Sequence, residues 1–250
     1  MKQVVIENPV INSPFQEPQR QFKFSEEGIT DEIIEARRIS SYFVPIPQPC
    51  KKNPKQLSFD TEWTADRLEE NKFINRVRER VSIWRLGKYQ GVTNVTRRLL
   101  EYWSNPQREH KLFFCQIEAL ETAIYIAEVA GKYGDAWIDN SLREANQTAN
   151  PLLYRIAFKM ATGSGKTLVI AMLIVWQTLN KLANPQDNRF SDAFLVSTPG
   201  ITIRDRLRVL LPSDPNNYYR QHDLVPVDLL PELGKSKIVI TNFHAFMLHE

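Results

Sequence analysis

The sequence predicts an α/β fold, in which a parallel sheet with helices on both faces follows a proline-rich arm and a helical segment. Over residues 151–250, short apolar runs typical of buried strands alternate with helical patterns, the order that builds such a sheet. Residues 59–134 carry apolar side chains at helical spacing. Residues 1–58 contain seven of the 15 prolines and sustain no helical period. We therefore expect three regions with these bounds, joined by a polar connection at 135–150.

The composition excludes several classes of protein. A net charge of +3 and a pI of 8.8 permit a nucleic-acid partner but do not require one. The two cysteines, Cys50 and Cys115, form no metal-binding pattern, which predicts a reducing cytoplasm. The longest apolar run, Leu168–Trp176, has nine residues, whereas a membrane span needs about 20. We expect a cytoplasmic protein with no membrane partner.

The arm is expected to contain two short elements. The run "VVIENPVI", residues 4–11, predicts a strand, and "ITDEIIEARR", residues 29–38, predicts a short helix with Thr30 as its N-cap. The run "SYFVPIP" is too apolar for a solvated linker. We therefore do not expect the arm to be purely a linker.

Helices are predicted next. An apolar stripe of Phe73, Ile74, Val77, Val81 and Trp84 marks the first. Two more are expected over residues 96–103 and 107–130.

A basic stretch, residues 76–98, overlaps these helices. It holds seven Lys or Arg against one acidic residue, and Trp84 and Tyr89 lie within it. Exposed aromatic rings beside basic groups can stack on nucleic-acid bases. Because Trp84 fits the apolar stripe, a solvated basic surface with Trp84 in the core is the favoured interpretation.

The α/β region opens with "LYRIAFKMATGSGKTLVIAMLIVWQ", residues 153–177. A strand over 153–160, a glycine loop and an apolar helix from Lys166 make up the context in which backbone N–H groups bind phosphate. An ordinary turn before a helix is the disfavoured alternative. The pattern predicts ATP and Mg²⁺ as ligands, with Lys166 on the β- and γ-phosphates and the Thr167 hydroxyl on the metal ion; these two are the catalytic candidates. The nucleotide-binding residues of the loop are Thr162, Gly163, Ser164, Gly165, Lys166 and Thr167.

The rest of the region continues the alternation. "DAFLVST" (192–198) and "KIVITN" (237–242) predict strands. "TIRDRLRVL" (202–210) predicts a helix between them, and another begins at Phe243.

Several motifs, in this order along the chain, resemble those of superfamily 2 helicases. The phosphate loop "MATGSGKT" resembles motif I, where Ala or Met commonly stands in place of the first glycine, here Met160. The other motifs are "KLFFCQIEAL" (111–120), "FLVSTPGITIRDRL" (194–207) and "IVITNFHAF" (238–246). Together with "NPVINSPF", "SSYFVPIPQP" and "FSDAF", their spelling resembles the Res subunit of type III restriction enzymes and allied restriction helicases over nearly the whole chain.

The resemblance implies the first RecA-like lobe of a P-loop NTPase, with ATP hydrolysis coupled to movement on DNA. It implies DNA as a partner, double-stranded or single-stranded, together with a modification methyltransferase subunit. The Gln116 amide would pair with adenine, since it carries both a donor and an acceptor; a surface glutamine is the alternative. The implied DNA contacts are Thr198, Gly200, Arg204, Thr241 and Asn242. Alternatively, Arg204 is a solvent-exposed residue of a surface helix, with Asp205 as its local partner.

The resembled family also uses a DExH acidic pair, a second lobe and a nuclease, and the sequence contains no such motifs. Asp228, between two prolines, is expected in a loop rather than on a metal ion. We therefore expect weak ATP binding and little hydrolysis by this chain alone. An RNA helicase, a kinase with the same loop, and a non-enzymatic nucleic-acid-binding fragment are the alternatives.

Overall fold

The structure, a computed structural model, describes residues 6–25, 28–44 and 67–247. Cys50 and the first two residues of the strand expected at 4–11 lie outside them. The chain divides into two compact units. The first comprises Met1–Asn12 and Pro18–Arg80, and the second Ser13–Glu17 and Val81–Glu250. The mixed α/β class is confirmed.

The described part of the first unit contains two pairs of strands. Strand β1 (Gln21–Ser25) pairs antiparallel with β2 (Gly28–Ile34). Strand β3 (Ser41–Val44) pairs antiparallel with β4 (Arg67–Glu70). Helix α1 (Lys72–Leu86) follows directly and continues into the second unit.

The prediction of a short helix at 29–38 is wrong, because Gly28–Ile34 is a strand. Phe22 lies opposite Ile33 in the hairpin register. The Thr30 hydroxyl donates to the Lys23 carbonyl across the hairpin (2.9 Å). Cross-strand pairs of aromatic and β-branched side chains stabilise such a hairpin, and they outweigh the local helix signals.

The second unit contains the remaining elements. Its helices are α2 (Asn94–Trp103), α3 (Phe114–Ile124), α4 (Ala136–Ala149), α5 (Lys166–Ala183), α6 (Ile201–Arg206), α7 (Tyr218–Gln221) and α8 (Leu230–Leu233). A π-helical turn, Tyr125–Val129, continues α3, and 3₁₀ turns cover Leu207–Leu210, Val227–Leu229 and Phe243–Phe246. Strand β5 (Ala193–Thr198) pairs parallel with β6 (Lys237–Asn242).

Helix α5 is buried on nearly all sides, as its apolar sequence predicts. It packs against α2 and α3. Among the described residues, no helix is both long and apolar enough to cross a membrane. The largest fully buried side chains of the core include Leu99, Leu100, Leu120, Ile124, Ile138, Met172, Leu210, Leu224 and Leu233.

Two of the expected boundaries differ from the structure. The helix expected from 107 begins at Phe114, because the N–H of Phe113 bonds to the Gln116 side chain and Phe113 is extended. The polar connection expected at 135–150 is largely α4. Ile138 is buried there, and Arg143 pairs with Asp139 one turn earlier (2.6 Å), so the polar sequence is an amphipathic helix.

The strand predicted at 153–160 does not form. A strand requires a hydrogen-bonded neighbour, whereas both backbone polar groups of Arg155 bond to the Asn146 side chain (2.9 Å each). The described residues form three two-stranded sheets, of which only β5–β6 is parallel. The larger sheet expected for a RecA-like lobe is not among them.

Thr178 on α5 provides a stability prediction. Its side chain is fully buried, and within the described part of the chain its hydroxyl has no hydrogen-bond partner. Valine has nearly the same shape, so Thr178→Val is expected to raise the free energy of unfolding by about 1 kcal/mol in urea denaturation. Thr122 is the matched control: its hydroxyl donates to the Glu118 carbonyl (2.7 Å), so Thr122→Val should not stabilise. Lower stability of Thr178→Val would contradict the prediction.

Candidate functional site

The loop that precedes α5 has a backbone only glycine adopts easily. Gly163 has φ +79° and Gly165 has φ +78°, both in the left-handed region. Helix α5 begins at Lys166, immediately after the second of these glycines. The sequence prediction of a loop followed by a helix from Lys166 is confirmed.

The amide groups of this loop are available to a ligand. Within the described part of the chain, the N–H groups of Gly163, Gly165, Lys166 and Thr167 donate to no protein group. The N–H of Ser164 makes only a long bond to the Ala161 carbonyl (3.4 Å). The first amides of a helix carry its positive dipole end, so an anion would be stabilised here.

Lys166 turns its ammonium group back over the loop. Nζ donates to the carbonyls of Ala161 (2.9 Å) and Met160 (3.3 Å). The side chain is exposed, so these bonds compete with water and can be exchanged for an anion. Thr167 is half-buried, and its hydroxyl has no partner among the described residues.

Gln116 connects helix α3 to the loop. Its Oε1 accepts a bond from the N–H of Phe113 (2.9 Å), and its Nε2 donates to the Ser164 carbonyl (3.0 Å). A Cβ added at Gly165 would lie 2.3 Å from the same Nε2. The glutamine amide therefore packs directly against the second glycine of the loop.

The sequence did not reveal this contact. It placed Gln116 at the nucleotide by resemblance to an adenine-binding motif, and that role stays a prediction. The contact joins residues 48 positions apart, and no local pattern predicts such a pair.

Four of the five residues predicted to bind nucleic acid lie at the carboxyl end of the parallel β5–β6 pair. The parallel register places Thr198 beside Asn242 and Ser197 beside Thr241. Gly200 lies two residues after the end of β5 and directly precedes α6, which carries Arg204 and packs against both strands. The structure therefore brings these residues together where parallel strands end, the usual location of ligand sites in open sheets.

Several of these side chains already have protein partners. The buried Thr198 hydroxyl donates to the Gly200 carbonyl (3.0 Å), and Asn242 Oδ1 accepts from the N–H of Ala245 (3.2 Å). Arg204 pairs with Asp205 (2.9 Å) on the surface. Because an exposed ion pair is weak, Arg204 remains available to a phosphate.

The aromatic residues of the basic stretch are held by the protein. Trp84 is buried, as predicted, and its Nε1 donates to the Gln90 carbonyl (2.8 Å). The Tyr89 hydroxyl donates to buried Glu121 (2.7 Å). Burial raises the pKa of Tyr89 most, and the negative charge of Glu121 raises it further. Neither ring is presented for stacking on bases.

A buried polar cluster, which sequence analysis missed, supports helix α5 from behind. The Glu128 carboxylate accepts bonds from the N–H of Thr93 (2.9 Å), the Thr96 hydroxyl (2.6 Å) and Trp176 Nε1 (2.8 Å). Asn180 Nδ2 adds a bond to Thr96 (2.9 Å). The cluster joins the start of α2, the π-helical turn and α5.

Metal-ion chemistry at the loop would depend on few protein ligands. Among the described residues, no group of three or more His, Cys, Asp or Glu side chains could hold a metal ion. Mg²⁺ is commonly bound by substrate phosphates with few protein ligands. Thr167 is the candidate ligand of the loop.

Comparisons with family models, with curated proteins and with solved structures find no match for this chain. The resemblance of its motifs to restriction helicases therefore stays a prediction. The case for a nucleotide site depends on the loop itself: its two left-handed glycines, its available amides and the ammonium group of Lys166.

Proposed function

We propose that this chain binds the triphosphate group of ATP, with Mg²⁺, at residues 162–167. One observation carries the proposal: two left-handed glycines lead the chain into the first turn of an 18-residue apolar helix. The consecutive N–H groups of Gly165, Lys166 and Thr167 have no partner among the residues that the structure describes. Such an arrangement is stable because glycine has no steric penalty there, and it provides a concave set of donors for oxyanions.

Each loop residue has a role in this proposal. The amides of Gly163 to Thr167 donate to phosphate oxygens. Lys166 exchanges the carbonyls of Met160 and Ala161 for the β- and γ-phosphates, where its charge also stabilises the transferring phosphoryl group. The Thr167 hydroxyl would ligate Mg²⁺, which would neutralise charge on the phosphates when bound.

We also propose that the chain belongs to a DNA helicase or translocase of a restriction system, with residues 151–250 in its first RecA-like lobe. The order of the sequence motifs supports this, as does the parallel pairing of β5 with β6. Thr198, Gly200, Arg204, Thr241 and Asn242 would contact the DNA backbone, through amides, hydroxyls and one guanidinium group. A methyltransferase subunit would be the partner in the complete enzyme.

The phosphate site is tested by Lys166→Ala. Loss of a charge-assisted contact of about 1.5–3 kcal/mol should weaken ATP binding roughly 10-fold or more in titration calorimetry. Lys159→Ala is the matched control, because it removes the same charge from an exposed lysine of the preceding segment and should leave binding nearly unchanged. Equal loss in both variants, or no loss with Lys166→Ala, would contradict the proposal.

The proposed binding of DNA requires a separate test. Double-stranded DNA, single-stranded DNA and RNA would compete for the chain at one fixed salt concentration, since backbone binding depends strongly on salt. Preference for RNA would favour the RNA-helicase alternative. DNA binding by a chain that binds no nucleotide would favour a non-catalytic binding fragment.

A further inference from the structure

The Gln116 side chain is held at both ends of its amide. The residue is only 4% exposed. Its carbonyl oxygen accepts the N–H of Phe113 at the start of α3, and its amino group donates to the Ser164 carbonyl of the loop. The amide therefore bridges a helix start and a phosphate loop.

The loop is packed tightly against this bridge. The space beside Gly165 where a Cβ would lie is occupied by Nε2 of Gln116. The Ser164 carbonyl belongs to the same peptide group as the N–H of Gly165, a loop donor that has no partner among the described residues. A bond to that carbonyl therefore fixes the direction of that N–H, because the peptide group is planar.

Recognition of adenine would need a different arrangement. A base edge must reach a donor and an acceptor of the amide together, but the Gln116 amide is buried and its two ends are already bonded within the protein. Exposing it would break both bonds and release the Ser164 carbonyl. A side chain in this position acts on the loop rather than on a base.

We infer that Gln116 is a positioning residue for the phosphate loop and does not select the base. The inference rests on the proposed function, since it assumes that the loop binds phosphates. The substrate class at this site is then nucleoside triphosphates regardless of base, and inorganic tripolyphosphate should bind through the same contacts. Gln116 raises the affinity for all of them by holding the Ser164–Gly165 peptide in the binding orientation.

Two variants separate this role from base recognition. Gln116→Glu keeps an acceptor for the N–H of Phe113 but, as a carboxylate, cannot donate to the Ser164 carbonyl. Gln116→Ala removes both bonds. Gln147→Ala is the control, since Gln147 is exposed on α4. Calorimetry with ATP, GTP and tripolyphosphate in Mg²⁺ would measure each variant, and thermal unfolding would show that each is folded.

In both Gln116 variants, the affinities for ATP, GTP and tripolyphosphate are expected to fall by the same factor of about 10, because the hydrogen bond to the loop is lost. Loss of ATP affinity alone, with GTP and tripolyphosphate unchanged, would overturn the inference in favour of adenine recognition. Unchanged affinity for all three would also overturn it. If Gln116→Ala does not fold, the affinities of Gln116→Glu for the three ligands test the inference by themselves. If the unsubstituted chain binds none of the ligands, the proposed function itself fails.

Discussion

Gly165→Ala is expected to weaken triphosphate binding by about 100-fold, equivalent to ~3 kcal/mol. Two costs add at this position. An alanine at φ +78° is strained by about 1–2 kcal/mol. Its Cβ would also lie 2.3 Å from Nε2 of Gln116, a buried amide that can move only by breaking its bonds to Phe113 and Ser164. The loop leaves its binding conformation to relieve the backbone strain and the steric contact. Affinity then falls in proportion to the fraction of molecules that keep the binding conformation.

Gly163 supplies a matched control within the same loop. It has nearly the same φ, +79°, but no atom lies within 4 Å of an added Cβ. Gly163→Ala should therefore lose affinity only through this backbone strain of about 1–2 kcal/mol, equivalent to roughly 5- to 30-fold. In a Gln116→Ala background the steric part disappears, so the two alanine substitutions should become equivalent.

Titration calorimetry with ATP and with tripolyphosphate would measure these losses for all the variants. Equal losses for Gly163→Ala and Gly165→Ala in the unsubstituted chain would contradict the contact between Gln116 and Gly165. A Gly165→Ala chain that binds as tightly as the unsubstituted chain would show that the loop conformation is not the binding conformation.

Glu128→Ala is expected to lower the free energy of unfolding by about 3–5 kcal/mol, the largest stability effect we predict. The carboxylate is 2% exposed and accepts from Thr93, Thr96 and Trp176. Its removal takes the acceptor away from the half-buried Thr93 N–H and the buried Thr96 hydroxyl, leaves Trp176 Nε1 only its longer bond to Thr96 (3.1 Å), and opens a cavity between α2 and α5. The start of α2 also loses a negative charge at its positive dipole end.

Urea denaturation followed by circular dichroism would measure this loss. Glu128→Gln keeps the shape and one acceptor oxygen but places an amino group among donors, so a smaller loss of about 1–3 kcal/mol is expected. Glu144, exposed on α4, is the surface control, and Glu144→Ala should change stability by less than about 0.5 kcal/mol. If Glu128→Ala and Glu144→Ala are equally stable, the buried cluster does not stabilise the fold.

Local features of this protein could be predicted from the sequence. The glycine loop, the start of α5 at Lys166 and the burial of α5 and Trp84 all follow from short-range rules. Glycine is the residue that adopts positive φ without cost, and a helix apolar on every side must be buried. The parallel pairing of β5 with β6 also follows, from the helix between the two strands.

Features that depend on a partner could not be predicted in this way. Residues 153–160 read as a strand but pair with no described strand, and Asn146 takes both backbone bonds of Arg155 instead. Gly28–Ile34 reads as a helix but pairs with β1. In each case the available hydrogen-bonding neighbour decided the conformation, and sequence periodicity does not identify that neighbour.

The amino-acid sequence alone determined which residues form the phosphate loop and that a buried helix follows it. Only the tertiary structure decided what holds that loop: the Gln116 amide from α3, and, behind α5, a carboxylate that joins three segments. The physical reason is that φ preferences and apolar periodicity act within a few residues. Hydrogen bonds of buried polar groups must be satisfied by whichever elements the fold brings next to them.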